Sequence, residues 1–369
     1  MILMITGLVL GPLSGWINAG QFRTFTQYLG TFALILILFE AGSELHLRDA
    51  LRHFPAAVLF GLLSYGLSFA AVSLVALWVM KVPLHQALIL GGVFGCTSST
   101  MVIPVLQQLG IRGPVTVVLI LEASLGDIIS VISVGSLVDI PRGDTLVTGL
   151  ITGFLVRTSV AIISAIVAGI MWSSVRSRFA ADRFGSVLQV GGVLLVYALV
   201  RTAGGSGLLA VLAFGLTLAN VRNDADEISA GHEQAIRVFH SDLSFLVRSF
   251  FFVLLGASVE LIERPYAIAT ALIVAGLVLA RVVSVYTTSW ALRDVGRPER
   301  EFILCLFPRG LVNAVLAIQV AGTEGGMPFV PAIAFTVIVV TNLLMVLGAF
   351  RFRPLEKGIK HGPVATTAT

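Results

Sequence analysis

Charged residues are scarce in this sequence. Asp, Glu, Lys and Arg together make up 12% of its 369 residues, whereas a soluble globular domain carries roughly 25%. Hydrophobic residues make up 57%, and the mean hydropathy over the whole chain is +0.97. A single anchor of about 20 apolar residues would be diluted by any soluble domain attached to it. The sequence therefore predicts an all-α protein with many membrane spans and excludes an ordinary soluble fold.

Several chemical signatures are also missing. The two cysteines, Cys96 and Cys305, both sit in apolar runs, so neither a disulfide framework nor a zinc site is expected. No phosphate-binding loop, nucleophile elbow or HExxH motif is present, which argues against ATP-driven work, a cofactor and an enzyme. The net charge of the chain is +4, but the basic residues are scattered between apolar runs, so we expect no nucleic-acid partner.

Apolar stretches long enough to cross a membrane divide the chain into about twelve spans. Short polar loops connect them and leave no room for a soluble domain. We therefore predict a single transmembrane domain over residues 1–350, surrounded by lipid, and a tail over 351–369. The spans lie at approximately 1–18, 28–45, 54–80, 84–109, 115–139, 146–174, 187–203, 205–220, 243–262, 266–290, 301–320 and 329–350.

The distribution of basic residues predicts the orientation. Fifteen Lys and Arg residues fall on one side of this layout and five on the other. Cytoplasmic loops carry the excess of positive charge. With an even number of spans, both termini are then cytoplasmic, and the expected location is the plasma (inner) membrane.

The sequence contains one internal echo. Phe39–Leu45 ends the second span, and Leu255–Leu261 ends the ninth with a similar run of small residues before Glu-Leu. Two repeats offset by seven spans must have inverted topologies, as in many secondary transporters. Chance similarity between two helix ends is the alternative. If the repeat is real, the fourth span corresponds to the eleventh.

Both of those spans carry helix-breaking residues near their middle. In the fourth, the hydroxyl residues Thr97, Ser98, Ser99 and Thr100 precede Pro104. The eleventh contains Pro308-Arg309-Gly310. Broken helices at corresponding positions of two repeats mark ion sites in transporters, although proline kinks and hydroxyls also occur in ordinary transmembrane helices.

Asp127 lies within the fifth span among apolar and small residues. A carboxylate at that depth is costly unless it is hydrated, paired or protonated, so it is a candidate functional group. Desolvation favours its protonated form and a nearby cation favours its ionised form. One carboxylate can thus accept either a proton or a cation. The alternative is a structural carboxylate tied to an Arg or to backbone amides.

Other intramembrane charges accompany it. Glu122 is five residues before Asp127, about 140° around a helix, so the two do not share a face. The natural partner of Glu122 is Arg281 in the tenth span, besides Arg309, because a buried ion pair partly offsets the cost of both charges. Glu40 in the second span could line the ion path or face a polar cavity.

These residues resemble the motifs of the monovalent cation:proton antiporter superfamily. Glu122-x-x-x-Gly126-Asp127 is similar to the Glu-Ser-Leu-Leu-Asn-Asp signature of sodium/proton antiporters. Pro308–Val312 and Val278–Arg281 resemble that family's eleventh and tenth core helices. Thr97–Thr100 stands where these proteins carry Thr-Asp-Pro and is closer to the Ser-Ser-Thr of the potassium-efflux branch.

The resemblance implies an inverted-repeat antiporter fold with broken helices four and eleven. It implies core helices at about 84–139 and 243–320, beside a dimerisation domain that would make a homodimer. Na⁺ or K⁺ would exchange for H⁺ at Asp127, with ligands from Thr97–Thr100. Glu122 would pair with Arg281 near the site.

Two departures from the family pattern bear on the mechanism. Gly126 replaces the Asn or Asp before the key carboxylate, and a single carboxylate favours electroneutral exchange. The aspartate after Thr97 is also absent, which leaves the cation open. Rival interpretations are an organic-anion symporter on the same fold and a non-transporting membrane sensor or partner subunit.

Overall fold

The computed structural model describes residues 2–15, 19–44, 54–111, 114–138, 146–179, 185–221, 230–258, 264–290, 297–323 and 325–352. Every regular element in these ranges is helical. The helices are α1 (Ile2–Leu8, continued by a π-helical turn at Val9–Leu13), α2 (Ala19–Glu44), α3 (Phe54–Trp78), α4a (Leu84–Phe94), α4b (Ser99–Gln108), α5 (Pro114–Val138), α6 (Leu146–Phe179), α7 (Gly185–Thr202), α8 (Gly207–Asn220), α9 (Ala230–Ser258), α10 (Arg264–Thr287), α11a (Arg297–Cys305), α11b (Leu311–Gly322) and α12 (Val330–Phe352).

The helices account for the predicted spans. Within the described ranges, nine segments are long and apolar enough to cross a membrane, and α4a with α4b counts as one of them. Three shorter apolar helices, at Ile2–Leu13, Gly207–Asn220 and Leu311–Gly322, occupy the remaining predicted positions. The multi-pass architecture is confirmed. The predicted tail lies outside the described residues from 353 onward.

The outer surface of the bundle is apolar. Ile2, Tyr28, Trp78 and Phe245 are each more than three-fifths exposed, and many further Leu, Ile and Val side chains point outward. A soluble protein rarely exposes such a continuous apolar surface. This exterior suits lipid, while the charged side chains of Glu122, Asp127, Arg281 and Arg309 are buried inside.

Two helix crossings show the inverted repeat at the level of single residues. At the α2–α8 crossing, Gly42 and Gly215 each lie against the backbone of the other helix, so close that a Cβ would overlap it. At the α1–α9 crossing, Gly256 and Gly7 do the same. Each of the four glycines faces a carbonyl oxygen and the amide nitrogen four residues further on. Only glycine allows this close approach of two helix backbones.

This pattern fixes the correspondence between the halves. The α1–α9 crossing repeats the α8–α2 crossing, so α1 corresponds to α8 and α2 to α9. Gly42 then corresponds to Gly256. The sequence echo at Phe39–Leu45 instead pairs Gly42 with the residue two positions after Gly256. The echo compared the Glu-Leu ends of the two segments, and of those ends only Glu44 lies within the described residues.

The fourth and eleventh spans are each broken in the middle. Helical geometry stops between Phe94 and Ser99, and again between Cys305 and Leu311. The two breaks lie against each other, because the Ser98 amide donates a hydrogen bond of 2.9 Å to the Pro308 carbonyl. Backbone of this kind is tolerated in a membrane only when it is buried in protein or lines a cavity.

Pro104 does not break its helix. It lies inside α4b, which continues to Gln108. A proline removes one backbone hydrogen bond, and α4b tolerates this loss. The break lies several residues earlier, where the Ser98 amide bonds to the other broken helix instead of to its own.

Candidate functional site

Asp127 lies at the crossing of the two broken helices. Its side chain, on α5, is 3% exposed. The Ser99 hydroxyl donates a hydrogen bond of 2.6 Å to Asp127 Oδ2, and the Ser99 amide donates one of 3.3 Å to the same oxygen. Ser99 is the first residue of α4b, and the positive end of a helix dipole favours a carboxylate. The α4 break therefore presents both a hydroxyl and a helix N-terminus to Asp127.

The other carboxylate oxygen is open. Asp127 Oδ1 is buried and has no hydrogen-bond partner in the described part of the chain. The described ranges likewise place no Lys, Arg or His nitrogen within 4.0 Å of this carboxylate. A buried carboxylate without a counter-charge is unfavourable. A proton or a bound cation would remove this imbalance.

The four hydroxyl residues of the α4 break do not all face Asp127. All four are buried, and Ser99 is the one of the four whose described hydrogen bonds reach the carboxylate. The Ser98 and Thr100 hydroxyls bond to each other at 2.9 Å. Thr97 lies at the break itself, directly before Ser98.

Glu122 is satisfied in a different way. It is also 3% exposed, and its Oε1 accepts a hydrogen bond of 2.9 Å from Arg281 Nη1. Ser64 of α3 donates to the same oxygen at 3.2 Å. This ion pair joins α5 to α10, and Ser64 extends it to α3.

Further acceptors hold the Arg281 guanidinium. Nε donates to the Ile303 carbonyl at 3.1 Å, and Nη2 donates to the Leu306 carbonyl. The guanidinium carbon also lies 4.9 Å from the centre of the Phe60 ring, within the range of a cation–π interaction. Arg281 thereby supports the end of α11a as well as Glu122.

Arg309 was expected to support the same ion pair, and the structure places it differently. It is buried at the α11 break, where Nη1 donates to the Gly95 carbonyl at 3.5 Å and Nη2 to the Ser68 hydroxyl at 3.3 Å. Neither Glu122 nor Asp127 is within ion-pair distance of it in the described ranges. The carbonyl end of α4a takes the place of a carboxylate as its acceptor.

Glu40 is turned towards α9. It is partly buried, and its carboxylate interacts with Ser241, Ser244 and Arg248 on that helix. Among the described contacts none brings it to Asp127. It is therefore separate from the carboxylate at the helix breaks.

One important residue was not identified from the sequence. Asn313, on the first turn of α11b, is fully buried and hydrogen-bonds to the backbone of both broken helices. An amide in an otherwise apolar run, three residues after Gly310, was the available signal. Its partner, the Val93 carbonyl, is 220 positions away in sequence and could not be inferred without the fold.

The contact between α5 and the pair α2 and α8 is apolar and packed too tightly to hold a water molecule. No group of three or more His, Cys, Asp or Glu residues that could hold a metal ion occurs among the described residues. The apolar contact between α5 and the pair α2 and α8 is formed by Leu38, Ile128, Val131, Leu208, Leu209 and Leu212.

Comparison with known proteins identifies a matching family and relatives of this chain. The family model described as "Sodium/hydrogen exchanger, transmembrane" matches residues 1–357. The Na⁺/H⁺ antiporter ApNhaP of Aphanothece halophytica is 25% identical over 318 residues, which are 84% of this chain and 60% of ApNhaP. The K⁺/H⁺ antiporter NhaP2 of Shewanella oneidensis is 24% identical over 338 residues, which are 88% of this chain and 56% of NhaP2. This chain thus spans less than two thirds of either relative.

A solved structure gives the same fold. The sodium proton antiporter MjNhaP1 of Methanocaldococcus jannaschii superimposes with a TM-score of 0.78 at 21% sequence identity, over 96% of this chain and 89% of MjNhaP1. This likeness confirms the expected antiporter fold. The relatives are transporters, so the expectation that the chain is not an enzyme is also confirmed. With a family model that matches nearly its whole length, this chain belongs to the transmembrane sodium/hydrogen exchanger family.

Proposed function

We propose that this protein is a secondary active antiporter that exchanges a monovalent cation, Na⁺ or K⁺, for H⁺. The observation that carries the proposal is Asp127, a buried carboxylate at two helix breaks whose Oδ1 has no partner in the described chain. The names of the relatives, which include both Na⁺/H⁺ and K⁺/H⁺ antiporters, support exchange and leave the cation to experiment.

A single carboxylate is sufficient for coupling. When Asp127 is protonated it is neutral and cannot hold a cation, and when it holds a cation it is ionised. The two ligands therefore exclude each other, which is the requirement for antiport. Each replaces the other charge for charge. Gly126 brings no second acid, and Glu122 is balanced by Arg281, so the exchange is electroneutral, one cation for one proton.

The cation ligands come from Asp127 and the α4 break. Asp127 Oδ1 is the primary ligand, and the backbone and hydroxyls of Thr97–Thr100 complete the site. Glu122 and Arg281 support it by fixing α5 against α10, and Arg309 supports it by holding the end of α4a. Glu40 lines the ion path at the α2–α9 interface, away from the binding position.

Alternating access moves the helices that bear the site. Core helices at about 84–139 and 243–320 shift against the scaffold helices, and the apolar contact that includes Leu38 and Ile128 is one surface that must open and close. The scaffold forms a homodimer in the lipid of the plasma membrane. Both termini, including the tail at 351–369, are cytoplasmic.

The test is proton movement in proteoliposomes after addition of Na⁺, K⁺ or Li⁺, with wild type and Asp127→Asn reconstituted in equal amounts. We expect the wild type to exchange at least one of these cations for protons and the Asn variant to stay at the level of empty liposomes. Clamping the membrane potential should leave the rate unchanged if the exchange is electroneutral.

Two other outcomes would redirect the proposal. If wild type moves no protons with any of the three cations across a range of pH, antiport is wrong, and the sensor and organic-anion interpretations take its place. If exchange occurs but persists in Asp127→Asn, the protein is an antiporter that uses another carboxylate, and Glu40 becomes the next residue to replace.

A further inference from the structure

Asn313 forms hydrogen bonds through both polar atoms of its side-chain amide. Its Oδ1 accepts a hydrogen bond of 2.8 Å from the Gly310 amide, at the start of α11b. Its Nδ2 donates to the Val93 carbonyl at 2.7 Å, in the last turn of α4a. The same nitrogen lies 3.5 Å from the Cys96 carbonyl oxygen and 3.3 Å from Cys96 Sγ. One amide thus joins the two broken helices through their backbones.

The neighbouring carbonyls of α4a are held by side chains as well. Ser130 of α5 donates to the Gly92 carbonyl, and Arg309 donates to that of Gly95. The carbonyls at the end of a helix carry partial negative charge and attract cations. These carbonyls of α4a are therefore already bonded to protein donors.

Cys96 connects this arrangement to the carboxylate. It packs against α5, where a Cβ added to Gly126 would lie 3.3 Å from Cys96 Cβ. Gly126 directly precedes Asp127, and Ser99, three residues after Cys96, donates to the carboxylate. Any movement of Cys96 therefore changes the position of the α4 break relative to Asp127.

We propose that Asn313 is a positioning residue for the cation site. By tying Val93 and Cys96 to the start of α11b, it fixes which part of the α4 break faces Asp127, and so sets cation affinity and the discrimination between Na⁺ and K⁺. This inference rests on the proposed antiport at Asp127. It adds a residue on the opposite broken helix that determines selectivity without touching the cation.

The chemistry of the side chain is specific. An amide offers one acceptor and two N–H donors at a fixed separation, and Asn313 uses both kinds. Alanine supplies neither, and serine is too short to reach across to Val93. The backbone hydrogen bond from Ser98 to Pro308 remains in any Asn313 variant, so the two breaks stay in contact and the protein should still fold.

The experiment measures cation-driven proton exchange by wild type, Asn313→Ala and Gln319→Ala in proteoliposomes, as a function of Na⁺ and of K⁺ concentration. Gln319 is a matched control because it lies on the same helix and its amide also bridges to another helix, donating to Thr31 of α2 at 3.3 Å. It is away from the breaks. Cation-dependent stabilisation against heat, measured on the purified proteins, provides a second readout.

For Asn313→Ala we expect the KM for the cation to rise by about 10- to 100-fold, as when a group that orients metal ligands is lost. The maximal rate should change much less, and the ratio of the Na⁺ and K⁺ KM values should shift. Gln319→Ala should keep both wild-type KM values. If Asn313→Ala is not recovered from membranes, Asn313→Ser, which keeps a polar group near Gly310, is measured in the same way.

The outcomes separate the two proposals. An unchanged KM in the Asn313 variant beside active wild type overturns the positioning role and leaves antiport intact. A lower maximal rate with unchanged KM, or an equal shift in Gln319→Ala, also overturns it, because either result indicates general loss of helix packing. Absence of exchange by wild type overturns the antiport proposal itself.

Discussion

Two acidic side chains on α5, Glu122 and Asp127, are equally buried but have very different neighbours. Glu122 lies 2.9 Å from the Arg281 guanidinium, which also reaches two backbone carbonyls. Asp127 receives hydrogen bonds from the Ser99 hydroxyl and amide, and the Cys96 thiol also interacts with this carboxylate, while no basic nitrogen in the described ranges lies within ion-pair distance. One oxygen of each carboxylate lacks a hydrogen-bond partner in the described chain, so the difference is in the counter-charge.

The difference indicates two uses of a charge inside a membrane. A carboxylate with a fixed guanidinium joins helices, and its charge is balanced at all times. A carboxylate without one has a positive charge in direct contact only when a mobile proton or cation is bound. Each also has one serine donor, Ser64 for Glu122 and Ser99 for Asp127. Matched substitutions at these four positions therefore test whether the two roles are separate.

The largest effect is expected from Asp127→Asn. It should abolish exchange while leaving the thermal unfolding midpoint of the purified protein equal to or above that of wild type, because it removes a buried charge that lacks a fixed partner. Exchange assays and thermal unfolding on one preparation check both parts. A strongly destabilised Asp127→Asn would mean that this carboxylate is structural, like Glu122.

Glu122→Gln should give the opposite result. It leaves the buried Arg281 without its carboxylate, which typically costs about 3–5 kcal/mol of stability. The folded yield and the unfolding midpoint should fall, while the cation KM of the protein that does fold stays near wild type. Replacing both Glu122 and Arg281 by apolar residues should recover part of the stability. A stable Glu122→Gln that loses exchange would contradict this division of roles.

Much of the fold could be predicted because its causes are local in the sequence. Runs of apolar residues mark the spans, and Pro308 and Gly310 mark one of the breaks. The repeat was visible in the sequence at Phe39–Leu45, but that alignment was wrong by two residues. It matched the Glu-Leu ends of the two segments instead of their glycines. The glycine was the better guide, because the close crossings of α2 with α8 and of α1 with α9 require it.

The site was predictable where a single residue creates an imbalance. Asp127 is such a residue, and so is Glu122, whose charge requires a partner that only a few intramembrane arginines could supply. The actual acceptors of Arg309 and the bridging role of Asn313 were not predictable. Both depend on which carbonyls the end of α4a presents to α11, and this is set by the packing of segments more than 200 positions apart.

Ser99→Ala sharpens the comparison on the Asp127 side. The hydroxyl donates at 2.6 Å to the carboxylate and favours its ionised form over the protonated one. A hydrogen bond to a charged group contributes about 1.5–3 kcal/mol, so its loss should raise the cation concentration for half-maximal exchange by about tenfold or more. Exchange measured over a range of cation concentrations at constant pH checks this. An unchanged half-maximal concentration would mean that Ser99 does not influence the carboxylate.

Ser64→Ala is the counterpart on the Glu122 side, and we expect the smallest effect from it. Ser64 donates to Glu122 at 3.2 Å and accepts from Arg281 at 3.3 Å. The ion pair and the backbone acceptors of Arg281 remain without it, so the loss of stability should be about 1 kcal/mol, with an unchanged cation KM. Thermal unfolding and exchange kinetics of Ser64→Ala, measured in parallel with those of Ser99→Ala, test both expectations. If both variants shift the KM alike, the two carboxylates respond as one coupled network, and their separation into a structural and an exchanging group is wrong.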